Sequence, residues 1–219
     1  METTKTLIER AARGDPDALF RLGYRYALGR KRPRPTQWKR VVKLWAAAED
    51  AGHIRAAFYL GVCYDNGFGV RKDYAAAMRH FRKAAKMGHL EAQHNLALGY
   101  RDGEGVPKDR RQMIVWLRRA AGSGHAPAQR DLGFCYHEGF GLHVDDKKAV
   151  YWYRKAARAG DSKAQWNLGL CYREGSGVRR RKDRAVYWLS KAAQQGYRKA
   201  ASLLRKIGAE SRANAHRGR

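Results

Sequence analysis

The sequence predicts an all-α protein built as a solenoid of about five helical hairpins, each 36 residues long. The first observation behind this prediction is that each period contains two helix-like apolar patterns with a glycine-containing break between them. The second is a strict period of 36 residues in a glycine column and a leucine column: Gly52, Gly88, Gly124, Gly160 and Gly196, and Leu60, Leu96, Leu132, Leu168 and Leu204. Self-similarity of this kind is typical of stacked helical repeats.

Within one repeat, the first helix is indicated by Ala56, Leu60 and Tyr64, which are spaced four residues apart and therefore share a face. A second apolar pattern starts at Asp73 and stops at Gly88, a residue type suited to the left-handed backbone after a helix. We call these helices A and B. Because neither can bury its apolar face alone, neighbouring hairpins must stack to form a core.

The period also predicts where each part of the chain begins and ends. Residues 1–16 are expected to form a capping helix, and the first repeat carries a two-residue insertion in its basic loop. Residues 198–208 are expected to form a second capping helix, followed by a basic disordered tail at 209–219. The five repeats are expected at 17–53, 54–89, 90–125, 126–161 and 162–197.

Composition narrows the class of protein. The chain has 46 Lys and Arg against 20 Asp and Glu, and this net charge of +26 favours nucleic acid, anionic lipid surfaces or acidic proteins as partners. A hydrophobic content of 44 % excludes wholesale disorder. The sequence shows neither a membrane-spanning apolar run nor a secretory signal, so we expect no membrane span and a cytoplasmic location, or a nuclear one in a eukaryote.

Residue types that often carry chemistry are expected to be structural here. Equivalent atoms in neighbouring hairpins lie on the order of 10 Å apart, which is too far for a disulfide. This spacing applies to three cysteines that share one repeat position: Cys63, Cys135 and Cys171. Three histidines follow the turn glycine, where a side chain can cap the next helix: His53, His89 and His125. Three tryptophans of helix B are expected in the core: Trp116, Trp152 and Trp188.

The sequence contains no nucleotide-binding, zinc-binding or nucleophile motif. We therefore expect no enzyme, no cofactor, no metal and no catalytic residue.

The repeat resembles a known family. The segments A-Q-x-N-L-G-L-C-Y-R-E-G-S-G-V at 164–178 and A-V-Y-W-L-S-K-A-A-Q-Q-G at 185–196 are similar to the Sel-one-like repeat, a relative of the tetratricopeptide repeat. The resemblance implies a right-handed superhelix that serves as a protein-interaction scaffold, with helix A on the concave surface. His80 departs from the pattern where other repeats have Trp, and Ala97 departs where they have Gly.

The helix projection and this resemblance together predict a peptide-binding groove. Variable positions on the side of helix A away from its core face are expected to line it. They are Phe20, Tyr24, Phe58, Tyr59, Val62, His94, Asn95, Leu98, Arg130, Phe134, Trp166 and Leu170. Burial of the Val62 column against neighbouring helices is the alternative. We expect Trp166→Ala and Phe58→Ala to weaken binding by about 2 kcal/mol or more, with a much smaller loss of stability, since the repeat accepts His or Arg there.

Two basic clusters fall in loops: Arg30, Lys31, Arg32 and Arg34 in the first repeat, and Arg179, Arg180, Arg181 and Lys182 in the last. They could grip phosphates or act as an import signal, although a charge run is more often a solvated surface. The aromatic residues lie on helices and not among these loops, so no stacking platform for single strands is expected.

The leading hypothesis is a non-enzymatic scaffold or adaptor that binds a peptide or protein segment in its concave groove, with a strongly basic exterior that favours partners with an acidic region. One alternative is a nucleic-acid-associated protein that uses the basic loops. Another is a regulatory or immunity-type protein that masks an enzyme or toxin. Neither the partner nor the oligomeric state follows from the sequence.

Overall fold

A computed structural model describes residues 3–28 and 35–217, with the backbone alone at residues 35, 36 and 210–217. Every regular element in these ranges is an α-helix, which confirms the predicted all-α repeat fold. The predicted loop residues Arg30, Lys31, Arg32 and Arg34 lie outside the described residues.

Twelve helices are found in the described ranges, and they alternate between helix A and helix B after an initial short helix. The chain divides into two compact units, here called the N-terminal unit (Met1–Trp116) and the C-terminal unit (Leu117–Arg219). The helices are α1 (Thr4–Ala12), α2 (Pro16–Ala27), α3 (Pro35–Asp50), α4 (Ile54–Asn66), α5 (Tyr74–Lys86), α6 (Leu90–Asp102), α7 (Arg110–Gly122), α8 (Ala126–Glu138), α9 (Asp146–Arg158), α10 (Ser162–Glu174), α11 (Lys182–Gln194) and α12 (Arg198–Arg217).

Side-chain caps and glycines place the ends of the helices. The imidazole Nδ1 of His89 accepts a hydrogen bond from the backbone N–H of Ala92 at 3.3 Å, and His53 and His125 cap α4 and α8 in the same way. This confirms the capping role predicted for the three histidines. Helix A then ends at a glycine in the left-handed region, as at Gly67 with φ 77°, where other residues would be strained.

Glycines within helix A allow helix B of the same hairpin to approach closely. A Cβ atom on Gly61 would lie 2.5 Å from the ring of Phe81, and one on Gly133 would lie 2.7 Å from the ring of Tyr153. Both distances are shorter than any real carbon contact, so these positions must be glycine for the large ring to occupy the hairpin core.

Consecutive hairpins are joined by side chains that recur with the period. The buried amide of Gln165 donates from Nε2 to the carbonyl of Ala157 at 3.1 Å, and Gln93 and Gln129 make the equivalent bonds. The guanidinium of Arg154 also donates to the hydroxyl of Tyr172 at 3.3 Å. Each bond joins helix B of one repeat to helix A of the next, which explains why these residues are periodic.

The first and last helices, α1 and α12, each pack against the neighbouring repeat. On α1, Leu7 is buried against Ala18 and Leu22 of the first repeat. On α12, Ala200 is buried in a cluster with Leu189. Helix α12 extends to Arg217, which corrects the expected end of the capping helix at residue 208, because residues 209–217 contain neither Gly nor Pro to stop a helix.

Candidate partner-binding site

A cavity in the N-terminal unit, between α4, α5 and α6, is the candidate binding site. Its volume is about 140 Å³, similar to that of one large side chain. The residues that line it are Asp65, Tyr74, Ala77, Met78, Phe81, Asn95, Leu98, Gly99 and Glu104.

The cavity has a lining of both polar and apolar groups and two acidic residues at its rim. Met78 and Phe81 are buried at its base, and Leu98 is half-buried beside them. Asp65 is half-buried and Glu104 is exposed, so the two carboxylates lie towards solvent. A long side chain with an apolar stem and a cationic end matches this distribution of polarity.

The electrostatics of the rim favour a cation. The Lys72 ammonium lies 4.4 Å from the centroid of the Tyr74 ring. Its hydrogen bond with Tyr74 raises the pKa of Lys72, and the charges of Asp65 and Glu104 raise that pKa further. The rim therefore stabilises positive charge at this place, within a chain that is strongly basic overall.

Three of the residues that line this cavity depart from the repeat. Gly99 stands where three of the other repeats have cysteine, and a Cβ atom there would lie 2.4 Å from the Met78 side chain. Asp65 stands where later repeats have Arg or His, and Glu104 stands where others have Phe or Ser. The cavity does not follow from the shared pattern of the repeats, because its acidic residues stand at positions that depart from that pattern. The signal that could have revealed it is the coincidence of three irregular positions in adjacent hairpins.

The residues predicted to bind a partner do not form one exposed set. Asn95 and Leu98 line the cavity, whereas Phe134 is 48 % exposed on α8 in the C-terminal unit. Phe20 is only 3 % exposed, so its predicted place on an open groove is wrong. It lies in an aromatic cluster with Trp45, which a projection of helix A alone cannot show. The other predicted residues are half-buried: Tyr24, Phe58, Tyr59, Val62, His94, Arg130, Trp166 and Leu170.

The Phe58 column joins neighbouring repeats. Phe58 stacks on His89, which caps the next helix A, with ring centroids 4.4 Å apart, and Phe20 stacks on His53 at 4.5 Å. In the C-terminal unit the same relation appears as the ion pair of Arg130 with Asp161 at 2.9 Å.

Trp166 continues this series against Tyr197, with ring centroids 5.5 Å apart. The type of residue at the Phe58 position of a repeat therefore changes together with the type of residue that it contacts at the start of the next repeat. This revises the expectation that Trp166→Ala and Phe58→Ala would barely change stability, because each would remove a contact between repeats.

The remaining candidates have structural surroundings. Cys63, Cys135 and Cys171 are buried free thiols, and burial raises the pKa of Cys63 and Cys171 to about 12. No cluster of metal-binding side chains occurs in the part of the chain that the structure describes.

The basic loop of the last repeat, Arg179 to Lys182, is exposed, and Arg181 pairs with Asp183 at 2.6 Å. Trp116 is buried, but Trp152 and Trp188 are only half-buried, so the core prediction is too strong for those two.

These features define an all-helical protein of hairpin repeats. The family model described as Sel1 repeat matches residues 16–34, 54–89, 90–125, 126–161 and 162–197. A Sel1 repeat protein from Oxalobacter formigenes is similar to the chain, with 30 % identity and a TM-score of 0.82 over 92 % of this chain and 80 % of that one. The chain belongs to the Sel1 repeat family, whose members are protein-interaction scaffolds.

Other relatives are longer than this chain. A protective antigen of uropathogenic Escherichia coli with an SLR fold is 34 % identical, with a TM-score of 0.88 over 94 % of this chain but only 44 % of that one. The rat DAP3-binding cell death enhancer 1 is 35 % identical over 57 residues, which is 26 % of this chain and 11 % of the rat protein. Among the described helices, none combines the length and apolarity needed to cross a bilayer.

Proposed function

We propose that the chain is a scaffold that holds a protein segment by inserting one of the segment's side chains into the cavity between α4, α5 and α6. The observation that carries this proposal is the pair of acidic residues, Asp65 and Glu104, beside the apolar side chains that line the same cavity. Because the ammonium of Lys72 already interacts with both carboxylates, the charged end of an occupant takes the place of that ammonium.

The occupant is a lysine or arginine side chain. Its methylene stem packs on Met78, Phe81 and Leu98, and its charged end lies between the two carboxylates. Half-exposed ion pairs contribute only about 0–1 kcal/mol each, so most of the anchor's free energy comes from burial of the stem, at about 0.8 kcal/mol per methylene. Ordering of the side chain offsets up to about 2 kcal/mol of this.

The residues flanking the anchor are acidic, because the chain as a whole carries a net charge of +26. Asn95, which lines the cavity, is suited to hydrogen-bond the segment's backbone, and the half-exposed Tyr59 and Val62 extend the contact along α4. A regulatory or immunity-type role is the special case in which the bound segment belongs to an enzyme or toxin.

The proposal is tested by selecting peptides of random sequence on the immobilised full chain. We expect enrichment of Lys or Arg at one position, with Asp or Glu around it. Selected peptides should bind the double variant Asp65→Asn with Glu104→Gln at least tenfold more weakly, which corresponds to about 1.4 kcal/mol.

A matched control removes the same two charges elsewhere. Glu9→Gln with Asp50→Asn changes one exposed glutamate and one exposed aspartate outside the cavity, and should leave peptide affinity unchanged. Equal losses in both double variants would mean that net charge, and not the cavity, governs binding. Selection of peptides without a basic residue would refute the anchor.

A further inference from the structure

Two tyrosines are exposed at one repeat position on helix B of the C-terminal unit. Tyr151 on α9 is 49 % exposed and Tyr187 on α11 is 50 % exposed. Each ring contacts the neighbouring tryptophan edge-on, Trp152 at 5.0 Å and 81° and Trp188 at 5.0 Å and 83°. The half-buried indoles thus hold the phenol rings in place while leaving much of each ring open to solvent.

The hairpin itself does not require these tyrosines. The same position is Arg79 and Val115 in the two preceding repeats. The ring that fills the hairpin core is the buried Tyr153 on α9, two residues further along. Tyr151 and Tyr187 are therefore features of the surface and not of the fold.

Cations alternate with these rings along the helices. Lys155 Nζ lies 4.9 Å from the centroid of Tyr151 and 5.3 Å from that of Trp152. Lys191 Nζ, one repeat later, lies 6.0 Å from the centroid of Tyr187. Ring and ammonium thus recur as a pair on two consecutive B helices.

Further positive charge surrounds these pairs. On α9, Lys147 and Arg158 are exposed one turn before and two turns after Tyr151. Two nearby carboxylates have partners: Asp146 is hydrogen-bonded to His137 and Asp183 forms an ion pair with Arg181, both at 2.6 Å. The exposed basic loop Arg179 to Lys182 leads directly into α11.

We propose that the outer faces of α9 and α11 bind single-stranded nucleic acid. Bases stack on Tyr151 and Tyr187, and the phosphates between them contact Lys155, Lys191 and the basic loop. Single-strand binders combine a cationic track with aromatic side chains on which successive bases stack. This surface is separate from the cavity of the N-terminal unit, and the inference goes beyond the proposed scaffold function.

The exposed rings favour this ligand over other polyanions. An acidic peptide would use the lysines but offers no planar group for the two tyrosines. In a duplex the bases are already stacked on one another, so their faces are closed to a side chain. The earlier expectation that no stacking platform exists considered only the loops, whereas the rings and cations alternate on the helices.

The test uses the full chain and fluorescence anisotropy at about 150 mM salt, with an oligothymidylate of about 12 nucleotides as the probe. An abasic strand with the same number of phosphates separates base stacking from charge. We expect the thymidylate to bind at least tenfold more tightly than the abasic strand and than a duplex of equal length. Equal affinity for the thymidylate and abasic strands would overturn the proposal.

Variants assign the binding to the two tyrosines. Tyr151→Ala with Tyr187→Ala should lower thymidylate affinity at least tenfold without changing the slope of log K against log salt. Tyr151→Phe with Tyr187→Phe retains the rings and should retain the affinity. Unchanged binding by the alanine variant, with circular dichroism showing an intact fold, would contradict the assignment.

The salt dependence and a matched control complete the test. Lys155→Gln with Lys191→Gln should reduce the slope of log K against log salt by about 1.4. Each phosphate contact on a single strand contributes roughly 0.7 to that slope, and the variant removes two such contacts. Phe134→Ala removes an aromatic ring of similar exposure from α8 and should leave binding unchanged. If the tyrosines are instead required for binding to phosphatidylserine vesicles or to polyglutamate, and not to the thymidylate, the surface serves a membrane or an acidic protein and the inference fails.

Discussion

The buried pair of Glu49 and His80 provides a sharp prediction about stability. Glu49 on α3 is 6 % exposed, and its Oε1 lies 2.9 Å from Nδ1 of His80 on α5 and 3.7 Å from Nζ of Lys83. In each of the three later pairs of repeats, alanine occupies the Glu49 position and tryptophan the His80 position. At one of these junctions, Trp188 packs against the core cluster that contains Ala157. An ion pair thus replaces an apolar contact at one junction.

The single and double changes should have very different costs. His80→Trp leaves a buried carboxylate with only the longer contact to Lys83, so we expect a loss of about 3 kcal/mol. Glu49→Ala leaves the partly exposed imidazole able to hydrogen-bond with water, at a cost of about 1 kcal/mol. The double variant restores the pairing of the other repeats. Since well-packed apolar residues often match or exceed a buried ion pair, it should be at least as stable as the parent chain.

The free energy of unfolding in urea at pH 7.5 measures these effects. Circular dichroism and tryptophan fluorescence must first give coincident transitions, because repeat arrays can unfold in parts. The expected coupling between the two changes is about 4 kcal/mol or more, well above the few tenths found for independent sites. Additive losses, which would leave the double variant about 4 kcal/mol less stable, would refute this reasoning.

The same pair predicts an acid transition. Burial alone would raise the pKa of Glu49, but the hydrogen bond and charge of His80, together with the charge of Lys83, outweigh it and lower that pKa. The stabilisation is therefore present above the ordinary value of about 4.5 and is lost as the pH falls through the lowered value. The double variant should lose less stability than the parent between pH 5 and pH 3, roughly the titration range of carboxylates.

Three further predictions concern the caps, the hairpin cores and the thiols. Burial lowers the pKa of His89 despite the charge of Glu91, and its Nδ1 accepts a backbone N–H, so the cap stabilises the chain above about pH 6.5 and weakens below it. His89→Asn keeps a cap that does not titrate, and should reduce the change in urea midpoint between about pH 7.5 and 5.5. Gly133→Ala places a Cβ atom 2.7 Å from the Tyr153 ring and should cost about 1–3 kcal/mol in urea unfolding. The three buried cysteines should react with a thiol reagent only at the rate of unfolding, and rapid native labelling would contradict their burial.

The periodic part of this structure could be predicted from the sequence. The hairpins, the capping histidines and the glycines in contact with helix B each depend on contacts that recur every 36 residues. The same residue types therefore appear several times in the sequence at that spacing. Gly61, Gly133 and Gly169 occupy the same position of the repeat. At each of them a Cβ atom would meet a side chain of helix B in the same hairpin.

The candidate binding site depends instead on residues and contacts that do not recur from one repeat to the next. A projection of one helix shows which face avoids its own hairpin core, but not which residue of the next repeat will cover that face. Phe58 therefore looked open, although His89 stacks on it. The cavity is lined by Gly99, Asp65 and Glu104, and only the folded structure shows that these three departures from the repeat lie together.

The central claim is that the acidic cavity anchors a basic side chain of a protein partner, and a double-mutant cycle across that contact tests it most directly. A selected peptide and its copy with the anchor changed to alanine are titrated by calorimetry against the parent chain and against Asp65→Asn with Glu104→Gln. We expect the anchor change to weaken binding to the parent at least tenfold and to weaken binding to the variant by a smaller factor, because the variant still buries the stem but has already lost the ion pairs. Losses that simply add would mean that the charged end of the anchor does not interact with Asp65 and Glu104.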